Sequence, residues 1–319
     1  MKKILVTGAS GFIGNSICQT LSRSGRFVRG AVRSLNLISE NSDIEYVQVG
    51  DFTLKRDWKD ILQGIDCIVH CAGRAHKMKE SDSNLSKLYQ LTNVEVTRRL
   101  AEESIKAGIK RFVFLSSVAV LGIDTNDRLP FSNSDEPNPI KNYANSKLEA
   151  EKVLSKISNE SDLEVVVLRI PLVYGPQAKG NLLRLIKLIN LGIPLPFGTI
   201  KNYRSMIGLD NLVDVIIRCV DHPEAKGETF LVSDGEDLST VKLINLIASS
   251  MGRSIYLFPL PLYLLNFVGR VLGKQKEIDR LVGSLQINDS YVRKKLNWIP
   301  PVSVAEGIRR MFVKTKILS

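Results

Sequence analysis

Lys3-Ile4-Leu5-Val6-Thr7-Gly8-Ala9-Ser10-Gly11-Phe12-Ile13-Gly14 decides how this chain folds. The run up to Thr7 is short, apolar and rich in β-branched side chains, the pattern of a strand buried in a parallel sheet. Three glycines spaced G-x-x-G-x-x-G follow, and then apolar residues at helical spacing through Ile17 and Leu21. Glycines between a strand and a helix suit a dinucleotide pyrophosphate. Gly8 permits the tight turn, Gly11 lets backbone approach the phosphates, and Gly14 lets helix and strand pack closely. The helix N-terminus adds free N–H groups and the positive end of a dipole. A purely structural glycine turn is the competing reading, and the strand–turn–helix context disfavours it.

Working outward, Phe27–Ser34 reads as the second strand, and it ends in Arg33. A carboxylate there would hold the ribose 2′-OH of NAD and repel a 2′-phosphate; a guanidinium grips that phosphate bidentately. NADP is therefore favoured over NAD, the alternative being that Arg33 stacks on adenine or faces solvent. Tyr46–Asp51 reads as the third strand, with Asp51 placed to accept from the adenine amino group. Asp66–Gly73 is a fourth, ending in the small residues Cys71, Ala72 and Gly73, which let a cofactor approach. A helix over Leu88–Ala107 carries Asn93 on a largely apolar face. Arg111–Ser117 is a fifth strand that delivers Ser117 at its C-terminal end, where open α/β sheets bind ligands.

Polar, proline-bearing residues from Asn126 to Ile140 form a loop before Asn142-Tyr143-Ala144-Asn145-Ser146-Lys147. Residues four apart share a helix face, so the Tyr143 phenol and the Lys147 ammonium lie one turn from each other. A free tyrosine titrates near pH ~10, too high for proton transfer at neutral pH. The lysine and a cationic oxidised nicotinamide would bring the phenolate toward working range. Ser117 could then hydrogen-bond the substrate oxygen that Tyr143 protonates or deprotonates. Alone, Tyr-x-x-x-Lys is a weak signal; the upstream dinucleotide site gives it force.

At 319 residues, 44% of them hydrophobic, the chain can bury a sizeable core as one large or two small domains. The net charge of +11 suits an anionic ligand such as a nucleotide diphosphate, or contact with an anionic membrane surface. Nucleic acid is disfavoured, because the basic residues are scattered and no helix-turn-helix or aromatic-basic pattern accompanies them. Cys18, Cys67, Cys71 and Cys219 lack disulfide or zinc spacing, and His70, His76 and His222 form no metal constellation. No metal is expected. The chain runs directly into a strand, so no signal peptide and a reducing, cytoplasmic location are expected.

Leu163–Ile170 reads as a sixth strand, after which the regular alternation breaks. Asn181–Leu191 follows as a helix, Gly192–Arg204 as loop or short hairpin, Ile207–Val220 as an entry into another helix, and Thr229–Val232 as a strand. Ile255–Leu272 is the most apolar stretch, but prolines, Asn266 and Arg270 leave it short of the ~20 residues a bilayer span needs. It is expected to be a buried or capping helix, with an interfacial, membrane-touching helix as the alternative.

The glycine motif, Asp51, Asn93, Ser116-Ser117, Tyr143-x-x-x-Lys147, Leu172-Val173-Tyr174-Gly175-Pro176, Arg204–Leu209 and Leu296-Asn297-Trp298 occur together and in order. In this the chain resembles the extended short-chain dehydrogenase/reductases that act on nucleotide sugars, over nearly its whole length. Lys179-Gly180-Asn181, Val232–Ser239 and Gly283–Gln286 make it similar to a bacterial O-antigen-cluster group of UDP-glucose 4-epimerase-like proteins. That group includes reductases of UDP-4-keto-6-deoxy-N-acetylglucosamine.

The resemblance implies an α/β fold: a Rossmann-type doubly wound parallel sheet, with a smaller mixed α/β C-terminal substrate domain. Residues 1–170 would bind the dinucleotide, with 205–233 returning to that unit; 171–204 and 234–319 would bind substrate. Ser117, Tyr143 and Lys147 would be catalytic, with Lys147 holding the nicotinamide ribose. Ser10, Phe12, Ile13, Phe52, Pro171 and Val173 would join the glycines, Arg33, Asp51, Cys71, Ala72, Gly73 and Asn93 around the cofactor. Ser117, Asn181, Arg204 and Arg280 would meet a UDP-sugar, Arg204 clamping its diphosphate, and a homodimer is the family's habit. Two departures, Arg33 and Val120-Leu121-Gly122 where relatives carry a tyrosine, tilt the expectation from 4-epimerase toward 4-keto reductase. A reductase of a non-sugar carbonyl and a noncatalytic NADP sensor are the remoter readings.

Overall fold

The computed structural model describes residues 2–37, 43–54, 56–75, 82–178 and 180–313; His76 and Lys179 lie outside them. The strands are β1 (Ile4–Thr7), β2 (Val28–Val32), β3 (Glu45–Gln48), β4 (Cys67–His70), β5 (Arg111–Ser117), β6 (Glu164–Ile170), β7 (Leu172–Tyr174), β8 (Met206–Gly208) and β9 (Thr229–Leu231). The main sheet runs β3-β2-β1-β4-β5-β6-β9 with every neighbouring pair parallel. Its strand order reverses between β1 and β4, and in such sheets that crevice is where a dinucleotide binds.

Alternation along the strands builds two core layers, as expected when helices cover both faces. Ile4, Val6, Cys67, Val69, Val113, Leu115, Val166 and Leu168 face one way, against α1 (Phe12–Arg23). Leu5, Ile68, Phe112, Phe114, Val165 and Val167 face the other. There they meet α2 (Lys59–Leu62) and, beyond α3 (Asp82–Tyr89), α4 (Val96–Lys106) and α5 (Asn142–Asn159). Leu5 is fully buried, and truncating such a side chain to alanine costs about 2–5 kcal/mol. The helix expected over Leu88–Ala107 is instead α3 and α4 joined by a π-helical stretch, Gln90–Glu95.

β7 and β8 form a separate parallel pair, which periodicity over three residues cannot reveal. α6 (Asn181–Asn190) joins α8 (Thr240–Ser250) and α12 (Val304–Val313) in a third apolar cluster; α7 (Leu209–Asp221) packs on the α1 layer. α9 (Leu262–Val271) and α10 (Gln275–Val282) pack on each other. Two placements in the C-terminal part stand out. Residues 234–319 do not all belong with the third cluster: α11 (Ser290–Leu296) sends Val292 and Leu296, with Trp298, into the β1 layer. Of the buried or capping helix expected over 255–272, the buried form does not hold: α9 buries only Leu265 and Gly269 and turns its other apolar residues to solvent.

Candidate active site

Gly8 follows β1 with φ of +69°, a left-handed conformation open to glycine, and a Cβ there would stand 2.9 Å from the Ala72 nitrogen. The turn after β1 thus touches the turn after β4. A Cβ on Gly14 would stand 2.3 Å from the Gly8 oxygen, so the helix sits as close to the strand as the motif implies. Gly11 N–H donates to the Gly8 carbonyl at 2.8 Å, and α1 starts immediately after it. Phe12, Ile13, Cys71 and Val173 pack against the same core layer, and a Cβ on Gly175 would meet the Phe12 ring at 3.3 Å. The segment after β6, with Pro171 buried, therefore lies over the glycine turn. Such a backbone cradle at a helix N-terminus, with Ser10 exposed at its rim, fits a dinucleotide.

At the outer end of the sheet, Arg33 is exposed just past β2. Asp51 Oδ1 accepts from the Thr53 N–H and hydroxyl, each at 2.8 Å. These bonds, and to a lesser degree the Arg33 charge, hold the Asp51 carboxyl below the usual carboxylate range. Phe52 turns its ring onto Trp58, centroids 5.9 Å apart.

Ser117 and Tyr143 come together from β5 and the first turn of α5. The Ser117 hydroxyl faces the phenol and accepts from Ala119 N–H at 3.2 Å. Burial pushes the Tyr143 phenol up to about 12, against the pull of the nearby Ser117 hydroxyl, and Tyr89 sits edge-on at 6.0 Å. Lys147 is 6% exposed, and its Nζ donates to the Leu115 carbonyl at 2.7 Å over the Phe114 ring. Burial pulls this ammonium down to about 8, with the Glu151 carboxylate pulling back up. A Cβ on Gly73 would lie 3.5 Å from Lys147 Nζ, so the triad opens onto the small-residue turn after β4.

Asn93, expected beside the cofactor, braces the backbone there. Its Oδ1 accepts from Arg74 N–H at 2.8 Å; its Nδ2 donates to the Arg74 carbonyl at 3.1 Å and to Ser146 Oγ at 3.0 Å. Buried, it satisfies its amide on the backbone that shapes the Gly73 turn, as burial of a polar group demands. Ser146 Oγ in turn donates to the Tyr143 carbonyl at 2.8 Å.

Several residues at this site escaped the sequence reading. Thr97 Oγ1 donates to the Asn93 carbonyl at 2.7 Å, which commits its single proton. It must therefore accept from His70 Nε2, 3.0 Å away, leaving His70 Nδ1 to accept from the Thr7 hydroxyl at 2.7 Å. Thr7 Oγ1 then accepts from Ala72 N–H at 3.2 Å. One fixed imidazole tautomer thus ties the glycine turn to the Asn93 brace. His70 is fully buried, and burial, with a smaller push from Lys147, drops it to about 3. Behind Lys147, the buried Glu151 accepts a short bond from Ser116 Oγ and pairs with Arg169 at 2.8 Å. The Lys147-x-x-x-Glu151 spacing was a usable signal; nothing local pointed to Thr7 or Thr97.

Arg204 is half-buried, and its Nη1 donates to the carbonyls of Arg280 at 3.2 Å and Gly283 at 2.9 Å. Burial and the like charge of Arg280 hold its guanidinium below its ordinary range. Two guanidiniums that feel each other's charge favour an anion beside them. Asn181 opens α6, at a helix N-terminus.

A doubly wound parallel sheet, a glycine turn at its switch point, and a serine, tyrosine and lysine converging beside it define a dinucleotide-dependent oxidoreductase of the short-chain type. Comparison with known proteins is specific. Residues 4–233 match the model of the NAD dependent epimerase/dehydratase family, and the chain belongs to that family. It is 38% identical to a UDP-glucose 4-epimerase of Vibrio cholerae over 97% of this chain and 94% of that one. It is 26% identical to an N-acetyl-alpha-D-glucosaminyl-diphospho-ditrans,octacis-undecaprenol 4-epimerase of Escherichia coli O157:H7, over 96% and 93%. A UDP-glucuronic acid 4-epimerase of Bacillus cereus, solved with NAD, shares the fold with a TM-score of 0.78 over 99% of both chains at 24% identity.

Proposed function

We propose that this enzyme transfers hydride at C4 of a UDP-hexose, in the direction of 4-keto-sugar reduction with NADPH. The observation that carries the reading is the convergence of Ser117 and Tyr143 beside a buried Lys147. A nicotinamide dinucleotide, when bound, supplies the hydride. Gly8, Gly11, Gly14 and the N-terminus of α1 would hold its diphosphate, and Lys147 would hold its ribose. Tyr143, protonated at neutral pH, holds the proton destined for the C4 oxygen, and Ser117 fixes that oxygen. Lys147 lowers the cost of the phenolate that remains. Arg204 and Arg280 grip the substrate diphosphate, with Asn181 as a further contact.

The exposed Arg33, standing where an NAD-binding strand ends in an acid, supports NADPH as reductant. Leu121, buried against Phe131, supplies no phenol where relatives carry a sugar-contacting tyrosine. A role in the cytoplasmic supply of surface-polysaccharide precursors, as a homodimer, completes the reading.

The second reading is a UDP-glucose or UDP-N-acetylglucosamine 4-epimerase, favoured by the 38% identical relative. There Tyr143 takes the proton from the C4 hydroxyl and returns it after the keto-sugar has turned over. The test supplies UDP-4-keto-6-deoxy-N-acetylglucosamine with NADPH, and separately UDP-glucose or UDP-N-acetylglucosamine without reductant. Product NMR showing a reduced 6-deoxy sugar only in the first arm supports reduction; C4 inversion only in the second arm replaces it with epimerisation.

A further inference from the structure

Helix α9 is amphipathic in the wrong sense for a packed helix. Leu265 and Gly269 point inward, and a Cβ on Gly269 would stand 2.8 Å from Ile278 of α10. At about 100° per residue, the opposite arc carries Tyr263, Leu264, Phe267, Val268 and Val271. Tyr263 is 71% exposed, Phe267 64% and Val271 69%. Isolated exposed apolar residues are ordinary, but a contiguous stripe on one helix marks an interaction surface.

The charge beside this stripe is of one sign. From residue 238 to residue 276 the chain carries no Asp or Glu, while Arg270, Lys274 and Lys276 are exposed along α9 and at the start of α10. The nearest acids are engaged: Glu277 pairs with Arg184 at 3.0 Å, and Asp279 accepts from Gln275 at 2.7 Å. An aromatic and aliphatic convex stripe rimmed by basic residues is the pattern of a helix lying in a membrane interface. A two-fold contact through the same face would set the three cations against their own copies with no acid to answer them.

We propose that α9 docks the enzyme on an anionic bilayer, its apolar arc at the acyl boundary and Arg270, Lys274 and Lys276 at the headgroup phosphates. No described helix is long and apolar enough to cross a membrane, so the contact is with one leaflet. α10, against which α9 packs, carries Arg280, whose carbonyl accepts from Arg204. Docking therefore holds the candidate diphosphate site one helix from the lipid. The proposal stands whether the enzyme reduces or epimerises.

The experiment is co-sedimentation of the full chain with vesicles of phosphatidylcholine, alone and mixed with phosphatidylglycerol. Binding to the mixed vesicles is expected, falling steeply with salt and at least tenfold in Phe267→Asp/Val271→Asp, with turnover of soluble substrate unchanged. Lys274→Glu/Lys276→Glu should weaken binding to the anionic vesicles while leaving the apolar face intact. Absence of binding to the mixed vesicles, or equal binding by the Phe267→Asp/Val271→Asp chain, would overturn the proposal. So would a wild-type dimer lost in that variant without any vesicle binding, which would make the face a self-interface.

Discussion

Lys147 Nζ donates to the Leu115 carbonyl at 2.7 Å, two residues before Ser117 on the same strand. The bond joins α5 to β5 where each delivers a hydroxyl oxygen to the candidate site, so the separation of Tyr143 from Ser117 is set by a third side chain. It also leaves the ammonium buried, with its affinity for the proton reduced.

Lys147 should therefore limit the enzyme on the alkaline side. Its charge is lost as pH rises through about 8, whereas the Tyr143 phenol, at about 12, stays protonated. The kcat/KM for keto-sugar reduction, which reports the free enzyme, is expected to fall about tenfold per pH unit above that point. A profile flat from about pH 6 to about pH 10 would contradict it. Tyr143→Phe should lose about 10²–10⁴-fold in turnover with its melting temperature unchanged.

His70 predicts an acid sensitivity of stability. The unfolded chain takes up a proton at its ordinary value of 6.5, which the folded imidazole refuses down to about 3. The folded state is thus fully favoured above 6.5 and loses about 1.4 kcal/mol per pH unit as pH falls between the two values. Urea unfolding of His70→Asn at a series of pH values should show a lower plateau at neutral pH and a shallower decline on acidification.

Glu151 and Arg169 are both buried, and removing one partner of such a pair leaves an uncompensated charge costing about 3–5 kcal/mol. Glu151→Gln is expected to destabilise the fold by that amount, read as a lowered melting temperature. It should also move the alkaline limb of the activity profile to lower pH, because the carboxylate supports the Lys147 charge. Glu151→Gln/Arg169→Met should regain much of the stability but not the limb.

Arg33 sets the cofactor prediction. Arg33→Asp replaces a cation that attracts a 2′-phosphate by an anion that accepts from a 2′-hydroxyl. The NADPH-to-NADH ratio of kcat/KM should fall at least about tenfold, a loss of about 1.4 kcal/mol of discrimination. An unchanged ratio would remove the reason for preferring NADPH.

The sheet was legible because buried parallel strands read as apolar runs between turn residues; β5 begins and ends where the pattern placed it. Tyr143 and Lys147 were legible because a helix brings residues four apart together. Thr7, His70 and Thr97 were not, since their contacts join residues 63 and 27 positions apart, across strands whose local pattern says only "buried". α9 misled for a related reason: hydropathy measures a preference for leaving water, and says nothing about whether this fold offers a place to go. The pairing of β7 with β8 is likewise a product of tertiary contact rather than of three-residue periodicity.

The π-helical stretch at Gln90–Glu95 has a consequence for how this protein tolerates change in length. The widened coil holds a residue more than an α-helix would over the same rise, and that surplus points the Asn93 amide at the Arg74 backbone. Deleting Leu91 would let the segment relax to regular winding, with the helices on either side kept in register and the Asn93 amide drawn off the Arg74 backbone. Such a shortened chain would keep its helical content and lose the clasp, an indel more harmful at this position than the replacement of any solvent-facing side chain beside it.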